Sequence, residues 1–167
     1  MKKNLFKKNT RGIGSLEILI GATIIVTGIL ALIIVFNSFF SFALANDANV
    51  RAAYLGEEGL EAMFFLRDGS WSTNIASLST TSAYYLAWNS GASTWQTSTA
   101  SPAYIDNLFL RKITLANVKR DGTGKIVTSG GTLDSNTRLV TATIQYFQGH
   151  ATTTQTMATY LTNFYGN

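Results

Sequence analysis

Glu17 is the side chain whose placement asks for a chemical reason. It stands at the leading edge of Ile18–Asn46, 29 residues without a charge. A charged group inside a membrane segment costs about 2.5–3.5 kcal/mol on insertion scales, so a carboxylate kept there needs a partner. The other groups that could do chemistry are sparse. The single histidine, His150, falls in an expected hairpin turn with no Cys or His nearby, so zinc is not expected. No G-x-S-x-G pattern marks a nucleophile elbow. Gly122-Thr123-Gly124-Lys125 has part of a phosphate loop, but the first Gly is missing and Ile126 replaces Ser/Thr. Asp121, or Asp134 with Asn136, offers oxygen ligands for Ca²⁺ without EF-hand spacing. Lys119, Arg120 and Lys125 bracket one Asp and read as a solvated turn, so nucleic acid is not an expected partner. Neither an enzyme nor a cofactor is expected.

The element that positions Glu17 is the apolar run itself. Ile18–Phe36 reads ILIGATIIVTGILALIIVF. At about 1.5 Å per residue, the run can cross a hydrocarbon core of about 30 Å with length to spare. Ahead of it lies a basic leader with Lys2, Lys3, Lys7, Lys8 and Arg11. A secretory signal would have an apolar region of only about 7–15 residues and a small-residue cut, which Ala43-Leu44-Ala45 could supply. The run is too long for that reading, and Glu17 sits at its start. An uncleaved signal anchor leaves the pairing of Gly12 with Glu17 unexplained.

In the basic leader, Gly12, Ile13, Glu17 and the long apolar run, the chain resembles the type IV prepilins, a family that includes pilus subunits and type II secretion pseudopilins. The resemblance implies that a prepilin peptidase cuts between Gly12 and Ile13 and methylates the amino group of Ile13. It makes Glu17 the fifth mature residue, with a part in assembly. The first mature residue is Ile where Phe is usual. Ile34 stands where many major pilins have Pro, and the cysteines that close a C-terminal loop in many of them are missing.

The sequence pI of 9.4 invites a nucleic-acid reading, but five of the 13 basic residues belong to the leader. Without residues 1–12 the chain carries 8 basic and 9 acidic side chains, a formal charge of −1. The basic balance is therefore a topological signal, placing the amino terminus in the cytoplasm and the rest outside. Cysteine is absent, so redox compartment cannot be read from it.

No Pro interrupts Ile13–Leu66, and Ala52, Leu55, Gly59, Ala62 and Leu66 recur at helical spacing. One helix over 13–68, spanning a membrane over about 18–45, is the simplest reading. Gly69–Ile105 then runs 37 residues without a charge, with Trp71, Trp88 and Trp95. An irregular lobe with one short strand near Ser82–Trp88 is expected. Its aromatics either cover the domain's own core or, at Trp88 and Trp95, form a recognition surface. Phe109–Ala116, Thr137–Phe147 and Ala151–Leu161 alternate as strands of an antiparallel meander. The sheet needs a cover, and the outer half of the helix is the long apolar element available. The expected class is therefore α+β: a leader (1–12), a long helix (13–68) and a β-rich extracytoplasmic domain (69–167).

The resemblance implies a subunit held in the cytoplasmic membrane and then assembled into an extracellular or periplasmic filament. Its implied partners are the peptidase, other pilin subunits, and an inner-membrane assembly platform with its motor ATPase. The missing Pro and cysteines favour a minor pilin or pseudopilin over a major pilin. A reading from another class is a secreted sugar-binding domain released after Ala45.

Overall fold

The computed structural model describes the backbone of residues 11–148, 151–164 and 166, with side chains over the same ranges apart from residues 11–13 and 148. Most of the leader and the turn residue His150 thus lie outside the described residues. One α-helix, α1, runs Arg11–Gly69, within two residues of its expected bounds. The chain divides into two compact units, Met1–Asn46 and Asp47–Asn167.

The first unit is, among its described residues, helix alone. Every large apolar side chain from Leu16 to Leu44 is exposed. An apolar surface that continuous does not persist in water. The helix is long and apolar enough to cross a membrane. Its hydroxyls are suited to that solvent. Thr23 Oγ1 donates to Leu19 O at 2.8 Å, Thr27 Oγ1 to Thr23 O at 2.9 Å and Ser38 Oγ to Ile34 O at 2.9 Å. Each donor thereby carries its own acceptor, as hydrocarbon requires.

The second unit contains α1 from Asp47 onward, a short π-type turn at Ser72–Ala76, and six strands. These are β1 (Ala83–Asn89), β2 (Thr94–Ser98), β3 (Phe109–Arg120), β4 (Ile126–Val127), β5 (Thr132–Gln148) and β6 (Ala151–Thr162). All pairings are antiparallel, in the order β2-β1-β3-β5-β6, with β4 on the last two residues of β3. The strict alternation of β3 and β5 decides which face is buried. Phe109, Ile113 and Leu115 oppose Tyr146, Ala142 and Val140 in register, and all six are buried. Ala52, Ala62, Met63 and Leu66 of α1 are buried with them in two clusters. The arrangement is α+β, a helix packed on an antiparallel sheet.

The helix approaches the sheet closely where it lacks side chains. A Cβ on Gly59 would lie 2.9 Å from Arg111 Cδ and 3.4 Å from Ile113 Cδ1, so only Gly fits without a shift. Arg111, 5% exposed, reaches back across that contact. Its Nη1 donates to Glu58 Oε2 at 2.6 Å and to Leu55 O at 3.2 Å.

Two parts depart from the expected layout. The uncharged lobe is a hairpin rather than a single strand: β1 and β2 are joined through Ser90–Ser93, with Ser93 at φ 48°. Asn89 Oδ1 accepts from the N–H groups of Gly91 and Ala92, which closes that turn. The second departure is length. β3 continues to Arg120 and β5 begins at Thr132, because a bulge at Asn117/Val118 shifts the register and returns Val118 to the core.

Candidate functional site

Gly12 and Ile13 lie in the first turn of α1, and Glu17 follows Ile13 by four residues. Successive residues rise about 1.5 Å, which puts about 6 Å of helix axis between Ile13 and Glu17. Glu17 is exposed, and its carboxylate has no ion pair among the described residues. An acid at this position can do one thing well. It can hold a cation that approaches the same end of the apolar run. Gly21 and Gly28 have nothing within 4 Å of an added Cβ, so this helix surface is open for another helix.

The three tryptophans separate into different roles. Trp71 is 4% exposed and belongs to the larger core cluster. Trp95 is half-buried against that cluster, with the Arg111 guanidinium 5.4 Å from its ring. Trp88, its cross-strand partner, is 53% exposed and meets Trp95 edge to face at 5.5 Å. The hairpin thus brings Trp88 and Trp95 together, but only Trp88 offers a broad free surface. Trp71→Ala should cost about 3–5 kcal/mol of stability, as for a core aromatic. Trp88→Ala should cost no more than about 1.5 kcal/mol, the scale of its edge-to-face contact. Urea denaturation of both variants checks this difference, and equal losses would make Trp88 a core residue in effect.

The acidic loop residues have local partners. Asp121 Oδ1 accepts from Thr123 N (2.8 Å), Thr123 Oγ1 (2.7 Å) and Lys125 N (3.0 Å). The Thr123 hydroxyl, followed by the backbone N–H groups, holds its carboxyl below the usual range. Asp134 takes Arg120 Nε at 2.6 Å and Asn136 N at 2.9 Å, and the Arg120 hydrogen bond lowers its pKa. Asp121 closes a turn and Asp134 pins β5 to β3. Among the described residues no cluster of three or more His, Cys, Asp or Glu could hold a metal ion. Of the three basic residues around this turn, Arg120 is committed to Asp134 and to Gly124 O (2.8 Å).

One surface feature had no signal in the sequence. Tyr104, Asn107, Leu108, Gln145, Tyr146 and Phe147 line an open cleft of about 240 Å³. They come from the loop before β3 and the end of β5, far apart in the chain, so spacing could not join them. Comparison with protein-family models, with curated proteins and with solved structures gave no match to this chain.

Proposed function

We propose that this chain is a prepilin-like structural subunit. In this reading it is inserted in the cytoplasmic membrane, cut between Gly12 and Ile13, N-methylated at Ile13, and assembled through its helix into an extracellular or periplasmic filament. The observation that carries the proposal is the placement of Glu17. A lone carboxylate stands one helical turn beyond Ile13, at the head of a charge-free run that ends where a helix-on-sheet unit begins. A cut at Gly12 would supply a cation one helical turn away, as the new amino terminus. The open apolar helix surface supports packing among copies, and Ile34 in place of the Pro of many major pilins, together with the absence of Cys, favours a minor over a major subunit.

The processing step tests the reading directly. Protein extracted from membranes of cells carrying the peptidase should begin at N-methylated Ile13. Gly12→Val should remain uncut yet still insert, because insertion depends on the apolar run. N-terminal sequencing that returns Asn46 would instead support a released domain, and an intact Met1 would leave a plain signal anchor.

A further inference from the structure

The end of the globular unit at which the chain arrives carries exposed aromatic side chains that its own core does not use. The Tyr146 hydroxyl bonds Asn49 Oδ1, Arg51 pairs with Asp106, and Ala52 packs in one cluster with Phe109 and Tyr146. Asn49 is three residues past Asn46, so chain length alone keeps it within about 11 Å of the end of the apolar run. At this same end Tyr104 is 56% exposed and Phe147 62% exposed, and both line the cleft together with Tyr146.

Tyr104 is held in place. The loop behind it is closed twice, by Ile105 N to Phe109 O at 2.8 Å and Phe109 N to Ile105 O at 2.9 Å. Asp106 and Asn107 follow with φ 50° and 54°, a left-handed pair that Asp and Asn tolerate better than most residues. The cleft contains no charged side chain. The side-chain amides of Asn107 and Gln145 make no hydrogen bond among the described residues, so both are available to an outside partner.

We propose that this end of the unit rests in the lipid headgroup layer of the membrane while the subunit awaits assembly, with Tyr104 and Phe147 as its anchors. The inference rests on the reading that the apolar helix spans the membrane. Aromatic rings favour the interfacial layer, where one part of the ring is dry and the rest is wet. Free amides suit the same layer, since headgroup oxygens and interfacial water can satisfy them. The local charge is Asp47 and Asp106 against Arg51, so attraction to anionic lipid does not contribute. The partner is a zwitterionic headgroup surface, and its hold should be insensitive to salt.

The chain has no cysteine, so single reporters can be placed in the full-length protein. Ala103→Cys and Thr152→Cys sit beside Tyr104 and Phe147 and keep both rings, with Thr152 opposite Phe147 in register. Gly122→Cys reports from the far end of β3, about 35 Å away at strand rise. Ser38→Cys reports from the span. With a fluorophore on each, in phosphatidylcholine/phosphatidylethanolamine vesicles at low protein density, a headgroup-attached nitroxide lipid should quench positions 103 and 152 several-fold more than 122. Tyr104→Ser with Phe147→Ser should return 103 and 152 to the level of 122. Equal quenching at 103, 152 and 122, with a lipid-shielded 38, would overturn the anchoring alone. So would shielding of 103 and 152 from both nitroxide and aqueous iodide, which would indicate association between copies. An aqueous-exposed 38 would overturn the membrane reading and the anchoring together.

Discussion

A chain that begins at Gly69 will fail to hold a native sheet, whereas one that begins at Asp47 will unfold in a single cooperative transition. The inner sheet face presents Phe109, Ile113, Leu115, Val140, Ala142, Ile144 and Tyr146, each at most 2% exposed in the folded unit. On one side the cover is Ala52, Ala62, Met63 and Leu66 of the helix. Full burial of one large apolar side chain is worth about 1.5–3 kcal/mol, and domains have only about 5–15 kcal/mol in total. Losing the helix uncovers several such residues at once and also leaves Arg111 without Glu58 and the Leu55 carbonyl. Urea titration followed by circular dichroism distinguishes the two chains. A cooperative transition of equal midpoint from the shorter one would mean that the sheet covers this face by other means. The glycine contact gives a graded version of the same test. Gly59→Leu should cost about 3 kcal/mol, since overpacking of a tight contact costs about 1–3 kcal/mol and Arg111 is tied down on the far side. Gly56→Ala should be near neutral, because its nearest obstacle is the flexible Met157 side chain and Ala favours the helix by up to about 1 kcal/mol over Gly.

The parts that were legible in the sequence are those where one period acts over a long stretch. The charge-free run and its continuation through Ala52 and Leu66 predict α1 almost to the residue. Alternation over Phe109–Ala116 and Thr137–Phe147 marks both strands, and Phe109, Ile113, Val140 and Ala142 lie on the face the structure buries. Signals failed where a local geometry breaks the period. The bulge at Asn117/Val118 puts two exposed residues, Ala116 and Asn117, before a buried Val, so the alternation stops at Ala116 and the strand reads short. β2 is a five-residue edge strand, polar apart from Trp95 and with no fully buried position, and its turn relies on Ser93 in a left-handed conformation. Neither feature has a sequence mark. The Glu58–Arg111 pair links residues 53 apart and exists only because Gly59 lets the two elements meet. At the candidate site, Glu17 could be found because its residue type contradicts its surroundings. Trp88 and Trp71 could not be told apart, because exposure depends on where the helix cover stops.

Glu17→Leu should insert, be cut after Gly12 and keep its helix, yet fail to enter filaments in cells lacking wild-type subunit. In the proposed assembly, the carboxylate faces hydrocarbon unless it meets a cation. Two unit charges 4 Å apart interact by about 1 kcal/mol in water and about 4 kcal/mol at the effective dielectric of a protein surface. Membrane insertion already exacts about 2.5–3.5 kcal/mol for a charge at the helix centre, which gives the acid a motive to find a partner. The amino terminus of Ile13 is available on its own helix, about 6 Å along the axis, and on the next subunit to arrive. Capture between subunits would set the axial step, while pairing within one helix would add only a local term of about 0.3–1 kcal/mol, the scale of a charge near a helix N-terminus. The two possibilities differ in what Leu does. If the acid works between subunits, filament incorporation should drop at least about tenfold, the effect of about 1.4 kcal/mol at one contact, and more if every contact is needed. Glu17→Gln separates charge from shape, since it keeps the side chain's size and polarity and should fail like Leu. Immunogold counting of filaments alongside the membrane pool provides the measurement. Normal incorporation of both variants would reduce Glu17 to a feature of its own helix, and failure of Leu with success of Gln would assign its role to shape and hydrogen bonding rather than to charge.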